Sequence, residues 1–172
     1  MEFIKCTMRE LAAVSDLYEK TLSHLEATVN YPKWTKEYPS IKSVGEAISR
    51  GEQYACTKNG EVLGAVVLND DPRGDYGAGD WSRELKEGEY LVIHTLAVSP
   101  QASRRGIGAY MVDCAVIEAR NAGYKAIRID VVPDNTPAIA LYMKKGFKFA
   151  GVKDLKRNIK EIPLFALYEL NI

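Results

Sequence analysis

Residues 99–112 read SPQASRRGIGAYMV, two arginines and a Gly-Ile-Gly turn running into a helical pattern. A strand that passes through a glycine turn into a helix collects backbone N–H groups and a helix N-terminus at one place, which is a ready site for an anion. The nucleoside-triphosphate loop Gly-x-x-x-x-Gly-Lys-Ser/Thr is absent, so that use of the turn is excluded. A dinucleotide turn is closer, because Asp130 ends the next strand about 20 residues on, where a ribose-binding acid would sit. It fails twice: Met111 stands where the third glycine belongs, and only about 40 residues follow, too few to complete a doubly wound domain.

The elements that position this turn follow from periodicity. Phe3–Cys6 suits a short strand, and Thr7-x-x-Glu10 predicts a capping box opening a helix through Leu11, Val14, Leu17 and Leu22. Two prolines break the pattern over 30–40, after which Ser43-x-x-Glu46 predicts the start of a second helix that Gly51 closes. Strands are expected over Gln53–Lys58 and Glu61–Asn69, joined at Asn59-Gly60, a strong hairpin signal. Residues 70–88 form a long Gly-rich loop, a length that in a compact domain goes with function or disorder. A strand over Tyr90–Val98 then leads through the glycine turn into a helix from Ile107 to Ala122, stopped by Gly123. Lys125–Val132 reads as a strand and Pro137–Lys145 as a helix with Gly146 beyond its end, and 147–157 and 162–170 read as a last strand pair. No repeat or linker interrupts residues 1–172, so the expectation is one α/β domain around a mixed sheet.

Composition narrows the partners. Lys plus Arg total 23 and Asp plus Glu total 23, so the overall field favours neither nucleic acid nor an anionic membrane. The first residues lack an apolar run of signal-peptide length, and no run approaches a membrane span, so a cytoplasmic protein is expected. Cys6, Cys56 and Cys114 are odd in number and far apart, with only His24 and His94 beside them, which argues against both a disulfide framework and a metal site. Cys114 falls on an apolar helical stripe and reads as a small buried hydrophobe.

LAVSPQASRRGIGAYMV followed by IRIDVVPDNTPAIALYMKKGFKFAG resembles the acetyl-CoA-binding core of the GNAT superfamily of N-acetyltransferases, over roughly residues 90–151. The resemblance implies an α/β (α+β) fold, a central mixed, mostly antiparallel sheet of about six to seven strands flanked by about four helices, with acetyl-CoA as co-substrate and no metal. The family's phosphate loop, Gln/Arg-x-x-Gly-x-Gly/Ala, falls with its glycines on Gly106 and Gly108 but with its first position on Ser103. Serine supplies the main-chain amide as well as glutamine does. The resemblance implies that Ser103, Arg104, Arg105, Gly106, Ile107, Gly108 and Ala109 hold the pyrophosphate. It also implies that the pantetheine arm lies along Leu96, Ala97 and Val98, pairing with that strand, with one N–H polarising the acetyl carbonyl.

Acetyl transfer from a thioester to an amine needs a sink for the ammonium proton and a proton for the leaving thiolate. By the resemblance, Asn135 binds the cofactor and Tyr142 stands at the general-acid position; Pro137 at the first helical position makes Thr136 the natural N-cap, the alternative being that Asn135 itself caps the helix. Two residues compete as base. His94 lies two positions before Leu96, so strict alternation places both on one face, and His-x-Leu-Ala-Val resembles GNAT enzymes that acetylate arylalkylamines. Asp130 instead matches the position of a catalytic glutamate in GNAT enzymes acting on protein N-termini.

For the acceptor, residues 70–89 carry an excess of four negative charges, which would attract a cationic amine. Trp34, Tyr38 and Trp81 sit in irregular segments where large aromatics often line a pocket. The expectation is an acetyl-CoA-dependent N-acetyltransferase acting by direct attack on a primary amine, a small molecule before a protein N-terminus or lysine. A non-catalytic CoA-binding sensor is the rival from another class, and a homodimer is left open.

Overall fold

Asn59 and Gly60 take φ values of 50° and 80°, the left-handed pair a tight hairpin requires, and they join β2 (Gln53–Lys58) to β3 (Glu61–Asn69). Around that hairpin a computed structural model describes residues 1–172 as β1 (Glu2–Lys5), α1 (Leu11–Ala27), α2 (Ile41–Ser49), β2, β3, β4 (Tyr90–Val98), α3 (Ile107–Asn121), β5 (Ala126–Val131), α4 (Thr136–Lys144), β6 (Lys148–Lys153) and β7 (Phe165–Asn171). The strands form one seven-stranded sheet in the order β1-β2-β3-β4-β5-β7-β6. It is mixed: β4 runs parallel to β5, while β1 with β2, β2 with β3, β5 with β7 and β6 with β7 are antiparallel. With its four α-helices this is the α/β architecture expected.

The chain divides into two compact units, each gathered from three sequence segments. The first comprises Met1–Asn30, Trp34–Leu68 and His94–Cys114. Its core joins Val14, Leu17 and Tyr18 of α1 to Val44 and Ile48 of α2, Ala55 of β2, Ala65 of β3 and Ala97 of β4. The second comprises Tyr31–Lys33, Asn69–Ile93 and Ala115–Ile172, around Tyr76, Tyr90, Val92, Ala126, Leu155, Phe165 and Leu167. β4 is therefore shared, Tyr90–Ile93 counting with one unit and His94–Val98 with the other.

Two helix starts differ from expectation. α2 is capped by Ser40, whose side chain accepts from the Ser43 N–H while the Ser43 hydroxyl accepts from the Ser40 N–H. Ser43 is thus the third helical residue rather than the cap; Ser40 follows Pro39 in extended backbone, as a cap must be. The Thr7–Glu10 pair forms, with Glu10 Oε2 accepting from the Thr7 N–H at 2.7 Å, but it closes a turn ahead of α1, and Glu10 caps that helix without a side-chain bond. The Gly51 stop is as expected, with φ 68° and the Glu52 N–H reaching back to the Ala47 carbonyl.

Candidate active site

In the first unit the turn after β4 is built from alternating backbone signs. Pro100–Ala102 makes one 3-10 turn; Arg104 then takes φ 61° and Gly106 φ 76°. Left-handed residues alternating with right-handed ones turn successive N–H groups inward into an anion nest. The first helical bond of α3 runs from the Tyr110 N–H to the Gly106 carbonyl. The N–H groups of Ile107, Gly108 and Ala109 therefore precede the ladder, at the positive end of the helix dipole. A Cβ on Gly106 would meet nothing within 4 Å, so glycine is needed there for its φ and the space above it is open. Ser103, Arg104 and Arg105 are exposed.

What seats α3 against β3 is a residue the sequence reading passed over. A Cβ on Gly64 would come within 2.5 Å of Met111 Sδ, 3.0 Å of the Ala97 carbonyl oxygen and 3.3 Å of Ile107 Cγ2. Met111 and Ile107 are both fully buried, so the missing glycine of the dinucleotide pattern is filled by a core side chain resting on a glycine of the neighbouring strand. A lone glycine inside a strand pattern was the available signal.

β4 itself is irregular. Thr95 has φ 47°, a left-handed conformation that a β-branched residue rarely takes. Strict alternation stops there, so the shared face expected for His94 and Leu96 does not follow; His94 is buried and Leu96 partly so. The Thr95 carbonyl accepts from the Tyr18 hydroxyl at 2.8 Å, and the Ser99 N–H donates to the Leu63 carbonyl at 2.9 Å, fixing the chain on either side of Leu96, Ala97 and Val98.

In the second unit, Asp130 is already committed. Its Oδ1 and Oδ2 accept from Arg157 Nη1 and Nη2 at 2.7 and 2.8 Å, and its Oδ2 also accepts from the Tyr76 hydroxyl at 2.6 Å. Arg157 also donates to the carbonyls of Arg73 and Pro72, so this cluster ties the β6–β7 loop to the β3–β4 loop. Burial first, and the Asp130 charge second, push the Tyr76 phenol well above its ordinary range, which keeps it a donor.

Asn135 caps α4. Its side-chain oxygen accepts from the Ala138 N–H at 3.3 Å, so Asn135, not Thr136, is the N-cap and only its amide N–H donors remain for a ligand. Asparagine outranks threonine as a cap, and Thr136 is the first helical residue, directly before Pro137. Tyr142 is buried, edge-on to Phe147 with ring centroids 5.3 Å apart. Burial first, and Asp130 second, raise its phenol, so the hydroxyl holds its proton at neutral pH.

The aromatics expected at an acceptor pocket are partly accounted for by packing. Trp34 meets Tyr18 edge-on at 5.9 Å beside the first core. Trp81 covers the Arg128 guanidinium at 4.3 Å and donates from Nε1 to the Tyr76 carbonyl, while Arg128 is paired with Glu169 in the interior. Tyr38 is the exposed one. Lys153 pairs with Asp80 and Lys125 with Glu89, so the loop's negative excess is smaller than the residue count over 70–89 implies. No group of His, Cys, Asp and Glu is arranged to hold a metal.

A nest of inward N–H groups at the mouth of a helix, entered from an irregular strand, is the donor set a diphosphate needs, and the open, positive-φ glycine fits such a group. The model of the acetyltransferase (GNAT) family matches residues 12–147, and the chain belongs to that family. An acetyltransferase of that family from Streptococcus agalactiae superposes with a TM-score of 0.79 at 20% identity, covering 99% of this chain and 95% of that one. A putative acetyltransferase from Salmonella typhimurium, solved with its cofactor acetyl-CoA, gives 0.72 at 15% identity over 99% and 93%. A mycothiol acetyltransferase of Jonesia denitrificans is 31% identical over 67 residues, 39% of this chain and 21% of that protein. The chain spans less than two thirds of the length of the curated relatives it matches.

Proposed function

We propose that the chain transfers acetyl from acetyl-CoA to the primary amine of a small molecule by direct attack, with no covalent intermediate on the protein. The observation that carries the reading is the nest: Arg104 and Gly106 at positive φ, with the unbonded N–H groups of Ile107, Gly108 and Ala109 behind them. When bound, acetyl-CoA supplies an acetyl thioester as acyl donor and a thiolate as leaving group. The amides from Arg104 to Ala109 bind its pyrophosphate, the Ser103 N–H being already donated to the Pro100 carbonyl at 3.4 Å, with Arg104 and Arg105 adding charge, and the Asn135 amide donates to the same ligand. The main-chain N–H groups of Leu96, Ala97 and Val98 orient the acetyl carbonyl. His94 takes the proton of the attacking amine at its imidazole, through a water, and Tyr142 gives its hydroxyl proton to the departing sulfur.

The base is assigned to His94 because both oxygens of Asp130 are taken up by Arg157 and Tyr76. Asp130 was the residue that pointed toward protein N-termini, so its engagement favours the small-molecule acceptor. Tyr38, the exposed one of the three aromatics expected at the acceptor, contacts that acceptor.

The test is melting with acetyl-CoA followed by thiol release across a panel of primary amines, with N-terminal peptides alongside. A ligand at 100 times its dissociation constant should raise the midpoint by about 5–10 °C for a chain of this size. No shift removes the reading; a shift with no thiol release from any amine or peptide makes the protein a CoA sensor. In pH profiles, His94→Gln should abolish the acidic limb of kcat/KM and Asp130→Asn should keep it; the reverse pattern transfers the base to Asp130.

A further inference from the structure

Thr95 is the one non-glycine residue inside a strand whose backbone is left-handed, and it stands between His94 and the Leu96–Val98 segment. Observed strain of this kind persists only where its surroundings over-determine it. The surroundings here are specific. Tyr18 of α1 is 2% exposed, its ring fixed edge-on against Trp34, and its hydroxyl donates to the Thr95 carbonyl at 2.8 Å, with Thr95 Oγ1 at 3.4 Å. On the far side of the segment the Ser99 N–H is held by Leu63, and the Ala97 carbonyl lies over Gly64. The Tyr18 bond falls on the strained residue itself and comes from a helix.

We propose that Tyr18 is a positioning residue: by holding the Thr95 carbonyl it keeps β4 in its left-handed turn and so aims the N–H groups of Leu96, Ala97 and Val98. This role rests on the acetyl-transfer reading above. Rotation of the Thr95 peptide toward ordinary extended backbone would restore strict alternation and turn the next N–H by roughly half a revolution. The hydroxyl opposes that rotation by anchoring the peptide oxygen. Burial raises the phenol well above its ordinary range, so the donor stays protonated throughout the working pH range.

Tyr18→Phe keeps the ring and removes the bond. Amide hydrogen exchange over 95–98 should quicken, kcat should fall about five- to tenfold, the scale of one net hydrogen bond, and the dissociation constant for acetyl-CoA should stay within about twofold. A filler role would lower the melting midpoint and leave exchange and kcat unchanged, which overturns the proposal, as does faster exchange with kcat intact. Should the variant not fold, the comparison is made in the Thr95→Gly background, where glycine takes the left-handed backbone without strain. Recovery of folding there, with kcat within about twofold of Thr95→Gly alone, is expected; failure to fold in that background too, or a roughly five- to tenfold fall in kcat there, overturns the role. If the unaltered chain does not bind acetyl-CoA, the acetyl-transfer reading falls and the positioning role with it. An unaltered chain that turns over with Tyr18→Phe its equal sinks only the role of Tyr18.

Discussion

Tyr142 keeps its proton because burial disfavours the phenolate and Asp130 adds a like charge. A general acid in that state should show no loss of function from its own ionisation below pH 10, where an ordinary phenol titrates. Tyr142→Phe should lower kcat by about 10²- to 10⁴-fold, the range for a general acid, while acetyl-CoA affinity measured by calorimetry holds. Asp130 belongs to a different class of residue. Its carboxylate neutralises Arg157 and accepts from Tyr76 in a partly buried cluster, so Asp130→Asn leaves a guanidinium short of its counter-charge. It should cost about 3 kcal/mol in denaturant melts, with the acidic limb of the rate profile retained. Sequence could place Asp130 at a strand end but not its partner, because Arg157 lies 27 residues on in an irregular loop and no local periodicity joins the two.

At the scale of elements, local rules worked where the signal is local. The strands β2, β3 and β4 have the bounds that alternation and the Asn59-Gly60 turn imply, and Gly51 and Gly146 sit at positive φ just beyond their helices. They failed where two neighbouring residues compete for one position. Ser40 displaced Ser43 and Asn135 displaced Thr136 as caps, since either could accept the bond and the path of the preceding chain decides which does. The left-handed turn in β4 was illegible because threonine is a strand former and its strain is imposed from α1. The approach of α3 to β3 is equally non-local, and it yields a prediction. Gly64→Ala places a Cβ 2.5 Å from Met111 Sδ and 3.0 Å from the Ala97 carbonyl oxygen, so Met111 must move by about 1 Å, lowering stability by about 1–3 kcal/mol and weakening acetyl-CoA binding as the helix mouth shifts. Ser103→Gln, at an exposed position whose N–H is held by the Pro100 carbonyl, should bind acetyl-CoA as well as the parent does.

Across the whole molecule, Tyr18, Tyr76 and Tyr142 all have phenols raised by burial, so they bind protons in the folded state that the unfolded chain releases near pH 10. Above that pH the folded state carries more protons than the unfolded one, and stability falls as pH rises. The contribution is full below pH 10 and is lost above it, roughly 4 kcal/mol from the three phenols by pH 11. Cys6, pushed up to about 12 by burial, works in the same direction from near its ordinary 9.0. Urea midpoints at pH 8 and pH 11 measure the loss, and an unchanged midpoint contradicts it. The interleaving of the two units has a consequence for synthesis. The first unit needs His94–Cys114 before its core can close, while the second needs β7, the last strand made. A chain growing from its N-terminus therefore carries some forty residues of β2, β3 and their loop unclosed until β4 emerges, and the nest that follows β4 is made in the same stretch that completes the first core. Formation of the nest and closure of that core thus come in the same stretch of synthesis, a timing that ribosome-bound chains halted beyond Cys114 would reveal.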